Sequence, residues 1–288
     1  MRKKVLYVIN PISGAGRQKG VEKLVIQHSD DRRIDYNIEC TKSSGQATEI
    51  SKTRGKDYDA IIAAGGDGSI NEIVQGLIET DTALGIIPIG SGNGFARHLK
   101  IPLKIEKAIE VINDFNVTRI DTAKIDDHYF ANVAGVGFDA LVAHEFAIFG
   151  KRGFASYVKV TAKELIKYKP LSVNLTTDGV RHKVKAFLLS IANGSQFGNN
   201  ACIAPRASMK DGKLNITILK NFPLVSAPVL IYRLFTKSFE NSRYAQNYTA
   251  KSINLEKEGE IIAHMDGDPY KFTDQIKIDV LPESLNVI

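Results

Sequence analysis

The chain has 288 residues, 43% hydrophobic and 24% charged, with a formal net charge of +6, which is the composition of a globular protein long enough for two ordinary domains. The basic excess is spread along the chain without a Lys/Arg-rich arm, so it favours nucleotides or an acidic membrane as partners and speaks against nucleic acid. Cys40 and Cys202 alone make no disulfide framework and point to a reducing cytoplasm, and no window approaches the ~20 apolar residues of a membrane span, so any membrane contact is peripheral.

The basic start leads into an apolar run at 5–9 that stops at Asn10-Pro11, too short for a signal-peptide core. That run and those at 34–40, 60–64 and 83–89 read as buried strands. The stretches 19–28, 45–52, 70–78 and 105–113 read as helices. Strands alternating with helices predict a parallel sheet covered on both faces. After Asp121 the pattern changes to strands at 129–133, 171–176, 182–191, 214–219, 252–255, 261–264 and 276–280, joined by Asx/Gly turns. Two helical stretches, 153–167 and 223–236, interrupt them. The expected fold is an α/β N-terminal nucleotide-binding domain with a parallel sheet over 1–121, plus a C-terminal antiparallel β-sandwich domain over 122–280. Residues 281–288 are candidates to complete the first domain.

In a parallel sheet, ligands bind outside the carboxyl ends of the strands. The four strands are followed there by Asn10-Pro11-Ile12-Ser13-Gly14, Thr41-Lys42-Ser43-Ser44-Gly45, Gly65-Gly66-Asp67-Gly68-Ser69-Ile70-Asn71-Glu72 and Gly90-Ser91-Gly92-Asn93-Gly94. Glycine lets backbone N–H groups approach an anion closely, and a following helix offers its positive N-terminal end. Turn chemistry alone accounts for one such loop. Four on one edge suggest a polyphosphate cradle. No G-x-x-x-x-G-K-[ST] loop and no dinucleotide fingerprint is present. Asp67 in such a cradle would repel phosphate unless a metal lies between; its plainer role is a helix N-cap.

The segment Gly65-Gly66-Asp67-Gly68-Ser69-Ile70-Asn71-Glu72 resembles the G-G-D-G-[ST]-x-N-E signature of the diacylglycerol kinase catalytic-domain family, which includes bacterial lipid kinases and sphingosine kinases. The resemblance spans nearly the whole chain: Asn10-Pro11 and Ser13-Gly14, Gly90-Ser91-Gly92-Asn93, Gly135 with Gly137-Phe138-Asp139, Asp211-Gly212-Lys213-Leu214 and Asp266-Gly267-Asp268-Pro269 fall in the family order. It implies an ATP-dependent kinase that phosphorylates the hydroxyl of a lipid such as diacylglycerol. Asn10, Pro11, Ile12, Ser13, Gly14, Thr41, Gly66, Asp67, Gly68, Ser69, Ile70, Asn71, Glu72 and Ser91 would line the ATP site. Where the family often has a lysine, this chain has Ala15, with Arg17 and Lys19 downstream as candidate cations.

The same resemblance makes Asp268 the general base, at a position where the family often has Glu, and Asp139 a contact to the lipid head group. It makes the 207–213 loop an Mg2+ site, with Asp211 ligating by side chain and Ser208 and Lys213 by carbonyl, and places Asp121 in the water network joining that metal to the active site. Hairpin turns are the plainer reading of both Asp-Gly loops. Phe154, Tyr157, Val158, Thr161 and Leu165, flanked by Lys151, Arg152 and Lys159, and the apolar 224–235 stretch suit an interfacial membrane contact, though such stripes also face cores. The expected partners are a lipid substrate at a membrane surface and no nucleic acid; a homodimer is left open. Two other readings stand beside the lipid kinase. An NAD kinase shares G-G-D-G but would carry further Asp/Asn contacts in place of 135–139, and a non-catalytic nucleotide- or lipid-binding protein would tolerate Ala15 and Asp268.

Overall fold

A computed structural model describes residues 2–13, 20–149 and 154–288. The chain divides into two compact units, one of Met1–Asp121 with Pro282–Ile288, the other Thr122–Leu281.

In the first unit, β2 (Ile34–Cys40), β1 (Lys3–Ile9), β3 (Ala60–Gly65) and β4 (Ala83–Pro88) lie side by side in that order, all parallel. Every residue of β3 and β4 is buried, which is why both read as unbroken apolar runs rather than alternating ones. The connecting helices are α1 (Val21–His28), α2 (Gln46–Arg54), α3 (Asp67–Leu77), α4 (Gly94–His98) and α5 (Ile105–Asp114). Helix α3 begins three residues before its apolar stripe does, at the end of the glycine pair, so the signature's polar residues form its first turn. The chain leaves along β5 (Thr118–Ile125) and its last residues come back at the end of β14 (Asp268–Val287), where Val287 pairs with Leu84 in parallel. Asp121, 2% exposed, accepts the Glu283 N–H at 2.9 Å, Glu79 N–H donates to the Ser284 carbonyl at 2.8 Å, and Asn286 donates to the Thr80 carbonyl.

The second unit is a two-layered antiparallel sandwich. It contains β6 (His128–Phe130), β7 (Val133–Gly137), β8 (Leu171–Thr177), β9 (Val180–Ala186), β10 (Leu188–Ala192), β11 (Leu214–Leu219), β12 (Ala245–Ala250) and β13 (Ser252–Met265). One layer runs β12-β11-β10-β7-β13; β8 and β9 continue from the other end of β13. Strand β13 serves both layers because its register against β14 shifts between Glu256 and Glu260. Apolar residues of the two inner faces, Val136, Ile191 and Ile216 against Leu175, Leu255 and Ile278 among them, form one core. The opposite face of the first layer carries α6 (Phe138–Phe149), α7 (Phe154–Leu165) and α8 (Ala227–Phe235) over a second cluster containing Val133, Phe187, Leu188 and Leu219. Helix α7 turns Val160 and Leu165 toward that cluster and leaves Tyr157 and Val158 partly exposed.

Four expected elements are divided or joined differently. The single strand expected at 129–133 is two, because Asp266 takes the backbone N–H groups between them. The strand at 182–191 breaks at Phe187, whose N–H bonds to the Leu219 carbonyl instead. Those at 252–255 and 261–264 are one strand, β13. Helix α6 escaped notice because Phe138-Asp-Ala-Leu-Val-Ala-His-Glu-Phe-Ala-Ile-Phe149 has apolar residues all round and no stripe.

Asp266 sits in the β13–β14 turn in the left-handed region, at φ 51°. Its carboxylate accepts N–H groups from Ala131, Asn132 and Val133, each at 2.9 Å, and its own N–H returns to the Val133 carbonyl at 2.9 Å. Three donors on one ionised acceptor tie the turn to the start of β7. Asp266→Ala strands all three, so it is expected to lower the unfolding free energy of the second unit by about 3 kcal/mol or more, read as a shifted urea midpoint; a shift of a few tenths would remove this clamp from the account of the fold.

Candidate functional site

The loops after β1, β2, β3 and β4 leave the same edge of the parallel sheet. At its centre the backbones after β3 and β4 touch. The Gly65 carbonyl accepts N–H groups from Ile89 and Gly90 at 3.0 and 3.3 Å. A Cβ added to Gly90 would lie 2.5 Å from Gly66 Cα, and one on Gly66 3.2 Å from Gly90 Cα. Side chains are therefore excluded from the spot where a polyphosphate needs bare backbone.

Polar side chains surround this contact. Asn10 donates through Nδ2 to Ser69 Oγ at 2.8 Å and accepts the Ile12 N–H at 3.1 Å, fixing the first loop, while Ser13 Oγ lies 3.4 Å from Ser69 Oγ. Thr41, 7% exposed, donates its N–H to the Ile9 carbonyl at 2.9 Å. Glu72 accepts from Ser44 Oγ at 3.3 Å and from the Ala47 N–H in the first turn of α2 at 3.2 Å, so it binds the second loop to α3. A small recess is lined by Asn10, Thr41, Ser69 and Glu72. Asp67 Oδ1 accepts the Phe95 N–H at 3.3 Å, joining the third loop to the fourth. Pro11, Ile12 and Ser91 are exposed and Gly68 lies in the first turn of α3. Ile70 and Asn71 are buried, Asn71 accepting from Gln75 at 3.2 Å, so their side chains serve packing of α3. Gly14, with Ala15, Arg17 and Lys19, lies outside the described residues, as do Lys151 and Arg152.

The second unit holds the other candidates. Asp139, in the first turn of α6, places Oδ2 3.2 Å from His264 Nε2 and accepts the Ala140 N–H through Oδ1 at 2.9 Å. Both side chains are almost fully buried, and a Cβ on Gly135 would collide with this pair. Gly135 lies between Ser190 and His264 across the sheet, so a polar row crosses the helix-covered face. Burial, and then the Asp139 charge, hold the Tyr168 phenol above its ordinary pKa. His264 was missed by sequence reasoning; the available signal was a polar residue on the strand leading into Asp266-Gly267-Asp268. Asp268 opens β14 opposite Met265 and is half-buried, and Tyr270 is pushed up first by burial and then by the charges of Asp268 and Asp266.

In the 208–213 loop, Asp211 Oδ1 accepts the Lys213 N–H at 3.1 Å and Ser208 Oγ the Lys210 N–H at 3.3 Å. These are two successive side-chain-capped turns with Asp211 and Lys213 exposed. Asp121 is occupied with Glu283 in the first unit, far along the chain from that loop. Among the described residues, no three His, Cys, Asp or Glu side chains are grouped as a metal cage. Beside Asp67 the donor set fits Mg2+ in the manner of a nucleotide complex, where one or two carboxylates suffice because phosphates and water supply the other oxygens.

Residues 4–125 match the model of the diacylglycerol kinase catalytic domain, and residues 132–288 that of the YegS C-terminal NAD kinase beta sandwich-like domain. A Bacillus subtilis relative named diacylglycerol kinase is 32% identical over 76% of this chain and 74% of its own. A Staphylococcus saprophyticus relative of the same name is 28% identical over 93% and 90%. A crystal structure of a diacylglycerol kinase from Bacillus anthracis superposes with a TM-score of 0.76 at 25% identity, covering 99% of this chain and 96% of that one. An Archaeoglobus fulgidus NAD kinase, at 16% identity and a TM-score of 0.53, shares the fold alone.

The Gly66–Gly90 contact leads to a direct test. Gly90→Ala should weaken nucleotide binding by about tenfold or more, measured by titration calorimetry with ADP. Unchanged affinity would show that the glycine contact does not shape the cradle.

Proposed function

The chain belongs to the diacylglycerol kinase catalytic-domain family, and from that premise we propose that it transfers the γ-phosphoryl group of ATP to the free hydroxyl of diacylglycerol. The observation that carries this reading is the sheet edge of the first unit, where Gly66 and Gly90 meet as bare backbone among Asn10, Ser13, Thr41 and Ser69. In this reading the loops 10–14, 41 and 66–72, with Ser91, hold ATP. Mg2+, bound beside Asp67 with the phosphates, would neutralise charge on the transferring group.

The acceptor chemistry belongs to the second unit. Asp139, held by His264, orients the lipid head group. The acceptor oxygen attacks the γ-phosphorus, the bond from that phosphorus to the bridging oxygen breaks, ADP departs, and the hydroxyl proton passes to Asp268. The neighbouring carboxylate, Asp266, is engaged with the backbone, where it accepts three N–H groups. The protein works at the cytoplasmic membrane face as a peripheral enzyme. No helix among the described residues is long and apolar enough to cross a membrane.

The deciding experiment incubates the protein with labelled ATP, Mg2+ and, separately, vesicles containing diacylglycerol, a sphingoid base or phosphatidylglycerol, and NAD in solution. Labelled phosphatidic acid, identified by mass spectrometry, is the expected product; a labelled dinucleotide would transfer the assignment to an NAD kinase. Asp268→Asn should lower kcat by ~10²–10⁴-fold, nearer the lower end because a loose transition state asks little of its base, with ATP affinity unchanged. Asp268→Glu should stay active. An active Asp268→Asn beside an Asp266→Asn that is folded but dead would assign the base to Asp266.

The 208–213 loop is proposed as a structural Mg2+ site through the Asp211 carboxylate. A melting temperature that rises with Mg2+ in the nucleotide-free protein, and no longer does so in Asp211→Ala, is the expected result. A wild-type melting temperature indifferent to Mg2+ leaves the loop as a pair of turns.

A further inference from the structure

Helix α8 and the short turn before it are apolar on two sides. One side is used: Leu230 is buried, and Leu234 and Phe222 pack against the cluster under the helices. The other side presents Leu224, Val225, Val229, Ile231, Tyr232 and Phe235 to solvent, with Val225 84% and Tyr232 67% exposed. A water-facing helix surface is normally polar, and contiguous apolar side chains on an exterior helix mark a contact with something else.

The charges around it identify what that is. From Lys220 to Phe239 the sequence has no carboxylate and carries Lys220, Arg233 and Lys237. The next acid, Glu240, is turned inward onto Arg206 at 2.6 Å with its side chain 9% exposed. An apolar face whose own segment carries only cations, with a tyrosine on it, has the composition of an interfacial helix on anionic lipid. A second copy of this chain fits less well, since an isologous contact would set the same three cations against each other.

We infer that the outer face of α8 is the surface by which this protein docks on an anionic bilayer, its apolar side chains entering the head-group region and Lys220, Arg233 and Lys237 meeting the acidic head groups. The kinase reading supplies the motive, because its acceptor resides in a bilayer, but docking is measurable without turnover.

The test uses the full-length protein without nucleotide, floated with vesicles of phosphatidylcholine alone or mixed with phosphatidylglycerol. Binding should be confined to the anionic vesicles and weaken with salt. Val225→Glu should lower vesicle affinity roughly ten- to hundredfold, the partition loss of one large apolar side chain. Lys220→Glu with Lys237→Glu, which leaves the apolar face intact, should abolish the preference for phosphatidylglycerol. Both variants should phosphorylate a short-chain, monomeric diacylglycerol at the wild-type rate. Equal wild-type binding to both vesicles, wild-type affinity in Val225→Glu, or a wild-type dimer that Val225→Glu dissolves would overturn the inference. A wild-type protein that binds anionic vesicles yet phosphorylates no lipid would preserve it and refute the kinase reading instead.

Discussion

A carboxylate that accepts three consecutive backbone N–H groups fixes everything attached to those groups. Asp266 is such a residue, and much of the second unit is arranged by it. The left-handed turn it occupies sets where β14 begins, so Asp268 is displayed at the first position of that strand rather than folded back into the turn. The same clamp holds the start of β7. From there the register runs to Gly135, beneath the Asp139–His264 pair, and to His264 on the neighbouring strand. Of two carboxylates two residues apart, one is thus consumed by architecture and the other opens the next strand.

In the first unit the corresponding constraint is a distance rather than a bond. Gly66 and Gly90 approach until no side chain fits between them. Asn10, Ser13 and Ser69 hold the first loop to α3, and Glu72 holds α2 to α3, so the edge is organised before any ligand arrives. Such preorganisation is what phosphoryl transfer asks of a protein, because positioning and charge stabilisation supply most of the rate.

The α/β half was legible because a fully buried parallel strand has one appearance: β3 and β4, buried throughout, each differ by one residue from the apolar runs that predict them. The sandwich was legible as a class but not in its joins. Whether residues 129–133 form one strand or two depends on a carboxylate more than a hundred positions away, and whether 252–265 is one strand depends on a register shift against β14. Within the candidate site, the glycine loops announce themselves by type and position. Their mutual approach does not, nor does the engagement of Asp266 by three backbone N–H groups, because both follow from backbone geometry that neighbouring residue types do not encode. His264 gave only a faint signal, and its partner Asp139 was found through the family resemblance rather than through spacing.

The return of residues 282–288 to the first unit has a bearing on how the protein comes into being. Strand β4 receives Val287 along its flank, and Asp121, Thr80 and Glu79 receive the residues just before it. On the ribosome these partners emerge more than 150 residues before the segment that satisfies them. The nascent first unit therefore waits with an unmatched edge and a buried-to-be carboxylate while the entire sandwich is translated, a state open to chaperone capture or to strand pairing with a neighbouring chain. Maturation of the first unit is coupled by connectivity to completion of the second, so a truncated translation product is barred from becoming a finished first unit.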